Sequence, residues 1–265
     1  GLWGPGIAKR NMRLIILSRG PHLYSTQSLL RAARSRGHHA HVIDFMSCEI
    51  VLGEQPEIWY DGRRLDRVDA VIPRVGASVT SHGAAVIRQF ELMDIATSVR
   101  AEALLRARDK LWAFQVLMQG GVAVPKTSFS QYNNDPTDLI EAVGGLPVVI
   151  KLLQGTHGMG VILAEKKNTA QAIMEAFYKS RQRFVVQQFI KECSGSDIRV
   201  LVVDGRVVAA MKRKALAGDF RANLHRGGKG IHIKLTSQEE EAALRSAELL
   251  GLEAAGVDML QSDRG

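Results

Sequence analysis

The segment 148–199 constrains the fold more than any other part of the chain. It opens with an apolar run that ends at Lys151, continues into the glycine-rich stretch QGTHGMG, and then returns to an apolar run. After a helical pattern comes another apolar run at 184–188, and Asp197 and Arg199 follow in a third. Because side chains alternate along a strand, residues two apart such as Asp197 and Arg199 point to one face.

The glycine-rich stretch predicts a contact with an anion. Gly155, Gly158 and Gly160 allow backbone N–H groups to approach a ligand closely. Lys151 emerges from an apolar strand, and a partly buried ammonium without a partner is costly, so we expect an anion to meet it. The stretch lacks the GxxxxGK[ST] pattern of a Walker A loop. These features favour a nucleotide cleft between two sheets, and the alternatives are a plain hairpin turn and a lysine that snorkels from an edge strand.

Composition restricts the class of protein. The chain has 265 residues, of which 46% are hydrophobic, enough for a substantial core. No run approaches the length of a membrane span, and the start GLWGPGIAKRN lacks the apolar region of a signal peptide, so we expect a cytoplasmic protein with no membrane contact. Cys48 and Cys193 stand far apart without a CxxC motif, which argues against a zinc site or a disulfide framework.

The charge balance favours acidic partners. Lys and Arg number 35 against 27 Asp and Glu, which gives a net charge of +8. Nucleotides, acidic peptides and nucleic acids all qualify. The basic residues are dispersed and only 6% of residues are aromatic, so we expect no dedicated nucleic-acid site. A nucleic-acid-binding protein stays open as an alternative.

The order of patterns predicts an α/β (α+β) fold in several parts. Residues 1–11 fit no periodic element and are expected to be a disordered or non-native extension. Strand and helix patterns alternate through 12–99, which predicts a small open α/β sheet. Residues 100–190 are expected to form linker helices and a subdomain that carries the glycine-rich flap, and 191–265 a second, incomplete subdomain.

Seven segments, in order from Met12 to the end of the chain, resemble the ATP-grasp ligases and most closely their RimK type. They are LSRGPHLYS, DAVIPRVG, RARDK, VVIKLLQGTHGMGV, SDIRVLVV, GDFRANLHRGG and AGVDML. The resemblance implies an ATP-grasp fold behind an N-terminal open α/β (pre-ATP-grasp) domain. It also implies a ligase that uses ATP to add L-glutamate to the C-terminal glutamate of a small-subunit ribosomal protein, through an acyl phosphate.

The resemblance further implies which residues bind the nucleotide. By their positions in the family's motifs these are Lys110, Lys151, Gln188, Phe189, Asp197, Arg199, Arg221, Ala222 and Asn223. The two lysines reach phosphates, and Asp197 contacts the ribose. Gln188 stands where the family usually has a glutamate next to the adenine, which leaves the nucleotide preference in question. For Lys110 the alternative is a solvated surface lysine, and for Asp197 and Arg199 a surface ion pair.

The reaction centre follows from the same resemblance. Arg213, Arg221 and Asn223 are the expected catalytic residues, although the segment 218–230 is irregular enough to be a plain surface loop. Asp258, in the middle of a predicted strand, is the expected ligand of Mg²⁺ or Mn²⁺, with two ions in the complete enzyme. Its alternative is an outward-facing acid.

The resemblance also sets expectations for partners and completeness. L-Glutamate, the acidic tail of a ribosomal protein and a second copy of the chain are the expected partners. The family's Glu and Asn metal ligands, which follow Asp258 on the next strand, do not occur before the sequence stops at QSDRG. We therefore expect part of a longer ligase, with weak or absent catalysis. A ligase for a small-molecule carboxylate and a non-catalytic nucleotide-binding module are the alternatives.

Overall fold

The computed structural model describes residues 11–132, 135–153, 160–193, 195–215 and 229–263. The strands are β1 Arg13–Ser18, β2 His39–Ile43, β3 Glu49–Val51, β4 Glu57–Tyr60, β5 Arg63–Arg64, β6 Ala70–Arg74, β7 Ala96–Thr97, β8 Thr127–Ser128, β9 Val148–Leu152, β10 Val161–Ala164, β11 Phe184–Gln188, β12 Ser196–Val203, β13 Arg206–Lys214, β14 Lys229–His232 and β15 Ala254–Met259. The α-helices are α1 Tyr24–Ser35, α2 Thr80–Leu92, α3 Ala101–Arg108, α4 Lys110–Gln119, α5 Asp138–Ala142, α6 Lys167–Lys179 and α7 Ser237–Leu250.

The chain divides into two compact units. The first comprises residues up to 108 together with 251–254, and the second comprises 109–250 together with 255–265. α3 therefore belongs to the first unit and α4 to the second. The division predicted from the sequence, at 99 and 190, stays a prediction.

The first unit contains the open α/β sheet that the sequence predicts. Its four strands are all parallel, in the order β2-β1-β6-β7. The apolar run of β1 lies at the centre, and Ile16 and Leu17 are fully buried. A long apolar run of this kind is typical of a parallel strand that is covered on both faces. Phe45, Ile87 and Phe90 extend the core toward α2.

The second unit contains two antiparallel sheets. The first has the order β10-β9-β11-β8, and the second β14-β13-β12-β15. One face of the first sheet packs on α5 and α6, where Ile150 and Val186 meet Met174. In the second sheet Ile198, Val200 and Val202 are buried in alternation along β12, as the sequence predicts, and α7 packs on this sheet and on α4.

Several elements differ from the sequence expectations. The strand expected from Val124 is confined to β8, and the short strands β3, β5 and β7 were not predicted. Residues 229 and 230, expected in an irregular loop, begin β14. None of the helices in the described part of the chain is both long and apolar enough to cross a bilayer.

Candidate active site

Lys110 begins α4 and reaches back to the end of β9. The side chain of Asp109 caps this helix by accepting two backbone N–H groups of its first turn, each at 3.0 Å. Lys110 Nζ donates to the carbonyl oxygens of Leu152 at 3.3 Å and Leu153 at 3.0 Å. Burial lowers the pKa of Lys110, and the charge of Asp109 partly opposes that shift. Lys110 is therefore a partly buried, hydrogen-bonded group and not a solvated surface lysine.

Lys151 lies near the end of β9, on the face of the sheet that does not pack on α5 and α6. Its Nζ donates to Oε1 of Gln187 at 2.5 Å. Burial and, after it, the charge of Lys110 lower the pKa of Lys151 to about 8, although Asp258 and Cys193 act in the opposite direction. Lys110 and Asp258 therefore both lie within electrostatic range of Lys151.

The two lysines form a site whose charge suits an anion. Two ammonium groups near each other in a partly buried place repel, and burial removes the water that would screen them. A bound polyphosphate supplies the opposite charge that Lys110 and Lys151 lack. Lys110 also fixes the carbonyl oxygens that end β9, directly before the glycine-rich stretch. The described residues therefore fit the phosphates of a nucleotide.

The second sheet carries an ion-pair network of its own. Asp197 on β12 lies directly opposite Arg213 on β13. Arg213 Nε donates to Asp197 Oδ1 at 2.7 Å, and Nη2 donates to Oδ2 at 2.5 Å. Arg213 is only 5% exposed. Burial acts to lower the pKa of Arg213, but the hydrogen bond to Asp197 and the charge of Asp258 outweigh it and raise that pKa above its ordinary value.

Asp258 on β15 joins this network. Arg199 Nη1 lies 2.9 Å from both carboxylate oxygens of Asp258, and Arg213 Nη2 lies 3.0 Å from Oδ1. Gly256, two residues earlier on β15, makes room for the Arg199 guanidinium, because a Cβ at that position would lie 2.5 Å from Arg199 Nη2. Asp197 and Arg199 share one face, as predicted, but each is paired with a different residue and not with the other.

Gln188, the residue predicted to lie next to the adenine, is on a face of β11 that the sequence analysis did not assign. Gln188 pairs in register with Val148, and alternation places it on the face of Phe184 and Val186, opposite Lys151. Its backbone N–H donates to the carbonyl of Lys126 at 2.8 Å. Phe189 follows, partly buried, after the end of β11. The side chains of Gln188 and Lys151 therefore lie on opposite faces of this sheet.

The remaining predicted residues cannot be placed against these groups. Arg221, Ala222 and Asn223 lie outside the described residues, as do Gly155 and Gly158 of the glycine-rich stretch.

Two residues of the site were missed by sequence reasoning. Gln187 shares a strand face with Lys151, and this could have been read from alternation along β11, where Gln188 was chosen instead. Gly256 carries no signal of its own in the sequence. Its importance follows only from the pairing of β15 beside β12.

Fewer of the described side chains are suited to bind a metal ion than are suited to bind a nucleotide. Among the residues that the structure describes, no group of three or more His, Cys, Asp and Glu side chains could hold a metal ion. Asp258 is the predicted ligand, and both of its oxygens have guanidinium partners. A metal ion at Asp258 would therefore compete with Arg199 and Arg213, and it would need phosphate or water oxygens to complete its coordination.

Comparison with known families and proteins agrees with this geometry. The sequence profile described as the RimK-like ATP-grasp domain matches residues 107–265, and that of the RimK PreATP-grasp domain matches 12–104. Proteins named probable alpha-L-glutamate ligase from Teredinibacter turnerae and Cellvibrio japonicus are each 49% identical over 255 residues, covering 96% of this chain and 85% of the relative.

Solved structures show the same fold at low sequence identity. The ATP-grasp ligase PsnB complexed with its minimal precursor superposes with a TM-score of 0.70 at 20% identity, over 97% of this chain and 87% of that one. A RimK domain protein from Sphaerobacter thermophilus gives 0.68 at 21% identity, over 96% and 88%. D-Alanine–D-alanine ligase from Bacillus anthracis, complexed with ATP, gives 0.64 at 18% identity, over 95% and 82%.

Proposed function

The chain belongs to the RimK-like ATP-grasp family, and from that premise we propose that it is an ATP-dependent ligase that adds L-glutamate to a carboxylate. The observation that carries the proposal is the pair of partly buried ammonium groups of Lys110 and Lys151, with the Asp258 carboxylate within electrostatic range of Lys151. Cations and an acid in one place suit a triphosphate bound together with a divalent cation.

In the proposed reaction a carboxylate oxygen of the acceptor attacks the γ-phosphorus of ATP, and ADP leaves. The amine of L-glutamate then attacks the acyl carbon, phosphate leaves, and the amine proton is released. Lys110 and Lys151 hold phosphates and offset their charge as it shifts toward the leaving ADP. We propose Arg213, Arg221 and Asn223 as the residues that contact the reacting groups, with Asp197, Arg199, Gln188, Phe189 and Ala222 completing the nucleotide site.

Magnesium is the proposed metal, with Asp258 as a ligand. When bound, it would supply charge neutralisation between phosphate oxygens. Asp258 would have to release at least one of its guanidinium partners to bind it, so metal binding and the Arg199 contact are expected to exclude each other. Manganese as a substitute and a second ion remain part of the proposal.

For the acceptor we propose the acidic C-terminal tail of a small-subunit ribosomal protein. A net charge of +8, which attracts an acidic peptide, supports this choice, and relatives at 49% identity named probable alpha-L-glutamate ligase support glutamate as the group that is added. A homo-oligomer and a cytoplasmic location are further proposals. Weak or absent catalysis stays the expectation from the sequence, and an assay of the purified chain tests it.

The test is incubation of the purified protein with ATP, Mg²⁺, L-glutamate and a peptide with an acidic ribosomal-protein C-terminus. Mass spectrometry should show peptide heavier by one or more glutamyl residues, together with ADP release. Lys151→Met should abolish both, whereas Lys179→Met, an exposed lysine in the last turn of α6, should not. Turnover with a small carboxylic acid and an unchanged peptide would reject the proposed acceptor. ATP binding without ADP release would instead support a non-catalytic module.

A further inference from the structure

Gln187 is an almost fully buried polar residue with no role in the reaction described so far. It lies in β11 with 2% of its surface exposed, and both ends of its amide are hydrogen-bonded. Oε1 accepts from Lys151 Nζ at 2.5 Å, and Nε2 donates to Thr127 Oγ1 at 2.9 Å. We propose that Gln187 is a positioning residue that fixes Lys151 Nζ for a nucleotide phosphate without neutralising its charge. This inference rests on the nucleotide site of the proposed function.

Strand register explains why Gln187 can reach Lys151. Lys151 on β9 lies opposite Val185 on β11, so Gln187 is its diagonal neighbour two residues further along the same face. Diagonal neighbours in an antiparallel pair are about 7–8 Å apart, within reach of two long side chains. On its other side Gln187 lies directly opposite Thr127 of β8. The three polar side chains thus cross three adjacent strands on one face of the sheet.

The chain of hydrogen bonds has a fixed direction. Thr127 Oγ1 donates its proton to the carbonyl of Pro125 at 2.7 Å, and a carbonyl can only accept. The lone pairs of Thr127 therefore accept from Gln187 Nε2, which turns the amide oxygen toward Lys151. A flipped amide would set a donor against a donor at Lys151 and an acceptor against an acceptor at Thr127. Thr127 acts on Lys151 in this way without touching it.

The neutrality of Gln187 matters as much as its geometry. A flexible lysine side chain loses considerable rotamer freedom when it is fixed, so an acceptor that holds Nζ beforehand favours ligand binding. A carboxylate at position 187 would also hold Nζ, but it would cancel the charge that a phosphate needs. The charged or titratable groups that influence Lys151 are Lys110, Asp258 and Cys193, and of these only Asp258 is a carboxylate. A neutral acceptor leaves the site positive.

The first test removes the Thr127 hydroxyl, which orients the Gln187 amide, and leaves Lys151 and Gln187 themselves unchanged. Thr127→Val should weaken binding of a non-hydrolysable ATP analogue with Mg²⁺ by roughly tenfold at neutral pH, the equivalent of one hydrogen bond. Thr127→Ser should restore it. Ser128→Ala is the matched control, because Ser128 on the same strand donates to the Leu139 carbonyl at 2.8 Å, on the opposite face. It should lower thermal stability and leave affinity unchanged. Equal affinities for wild type and the folded Val variant would overturn the proposal.

The second test uses charge and a pH profile, which a structural role alone would not move. The pKa of Lys151 is about 8, so wild-type affinity for the analogue should fall as pH rises through that value. In Gln187→Glu the new carboxylate raises the lysine pKa, so this fall should shift to higher pH, and affinity at neutral pH should be lower. An unshifted profile with wild-type affinity would overturn the inference. If Thr127→Val does not fold, the Glu variant alone decides.

Failure of this inference and failure of the proposed function give different results. Analogue binding needs neither glutamate nor an acceptor. If wild type binds the analogue with the predicted variant effects but forms no glutamyl product, the positioning role stands and the proposed reaction fails. If wild type ligates glutamate while Thr127→Val and Gln187→Glu bind as wild type does, the reaction stands and the positioning role fails.

Discussion

At the scale of the residue, Lys151 combines a cost to stability with the binding role proposed for it. In the absence of a ligand its ammonium is partly buried near Lys110, and its main contact is the neutral amide of Gln187. A charge held in this way destabilises the folded chain until an anion arrives. Functional groups are often retained at such a cost.

This cost predicts a pH-dependent stability. The pKa of Lys151 is about 8 when folded, against an ordinary value of 10.5. Below pH 8 both states carry the proton and the full penalty applies. Between these two values the unfolded state binds more protons, so stability rises with pH. The free energy of unfolding of wild type relative to Lys151→Met should therefore increase by about 1–2 kcal/mol from pH 7 to 10, a discounted figure because Lys151 keeps some contact with water.

Urea unfolding without nucleotide at both pH values measures this change. Comparing the two proteins cancels the titrations that they share. The Gln187 oxygen left without a partner in the variant has a cost that does not depend on pH, so this cost drops out of the change between the two pH values. Lys179→Met, at an exposed position, should give no such change. A wild-type advantage that stays constant with pH would show that burial does not shift Lys151.

Single residues also show where sequence reasoning reached its limit. Lys151 and Asp258 stand out because a charged residue within an apolar run is unusual at any position. Gln187 and Gly256 do not stand out, since a glutamine in a strand and a glycine near a turn have many explanations. Their roles depend on which strand lies next to them, and that is a property of register.

At the scale of the element, the two ion pairs of β12 differ in burial and should differ in energy. Asp197–Arg213 is shielded, with side-chain exposures of 16% and 7%, whereas Arg199–Asp258 is open to water, at 44% and 47%. Breaking a buried pair leaves an uncompensated charge, while an exposed pair contributes little.

We therefore expect Arg213→Met to destabilise the second unit by about 3 kcal/mol and Arg199→Met by less than about 1 kcal/mol. The double variant Asp197→Leu/Arg213→Met should be more stable than Arg213→Met alone, because no unpaired carboxylate remains. Urea denaturation of wild type, Asp197→Leu, Arg213→Met and the double variant gives the coupling energy of the pair, and Arg199→Met is measured beside them. Equal costs for the two single arginine variants would mean that burial does not set the strength of these pairs.

Helices and strands with a regular apolar pattern were predicted more accurately than those without one. The apolar pattern of 237–250 predicts α7 at its observed bounds, and the alternation along 197–202 predicts the buried face of β12, because both elements bury one face against the core. β14 was missed because all four of its residues are exposed, so only pairing with β13 defines it as a strand. Short edge strands of this kind carry little apolar signal.

At the scale of the whole molecule, the division into units could not be read from the sequence. Residues 251–254 belong with the first unit although both of their flanks belong to the second. Gly251, with a φ of +70°, turns the chain beside α3, where a Cβ would lie 3.7 Å from Ala103. A segment that returns to a sequence-distant unit leaves no local pattern, whereas the order of strands and helices within each unit does.

Net charge is the whole-molecule property that bears on the acceptor, and it gives the last prediction. A chain with a charge of +8 attracts an acidic tail over distances that salt screens. Raising NaCl from about 50 to 300 mM should therefore increase KM for an acidic acceptor peptide several-fold, with little change in kcat. A matched peptide with every acidic side chain except that of the terminal glutamate changed to its amide should show a much smaller increase. The same salt dependence for both peptides would mean that the tail is bound by contacts at its end alone.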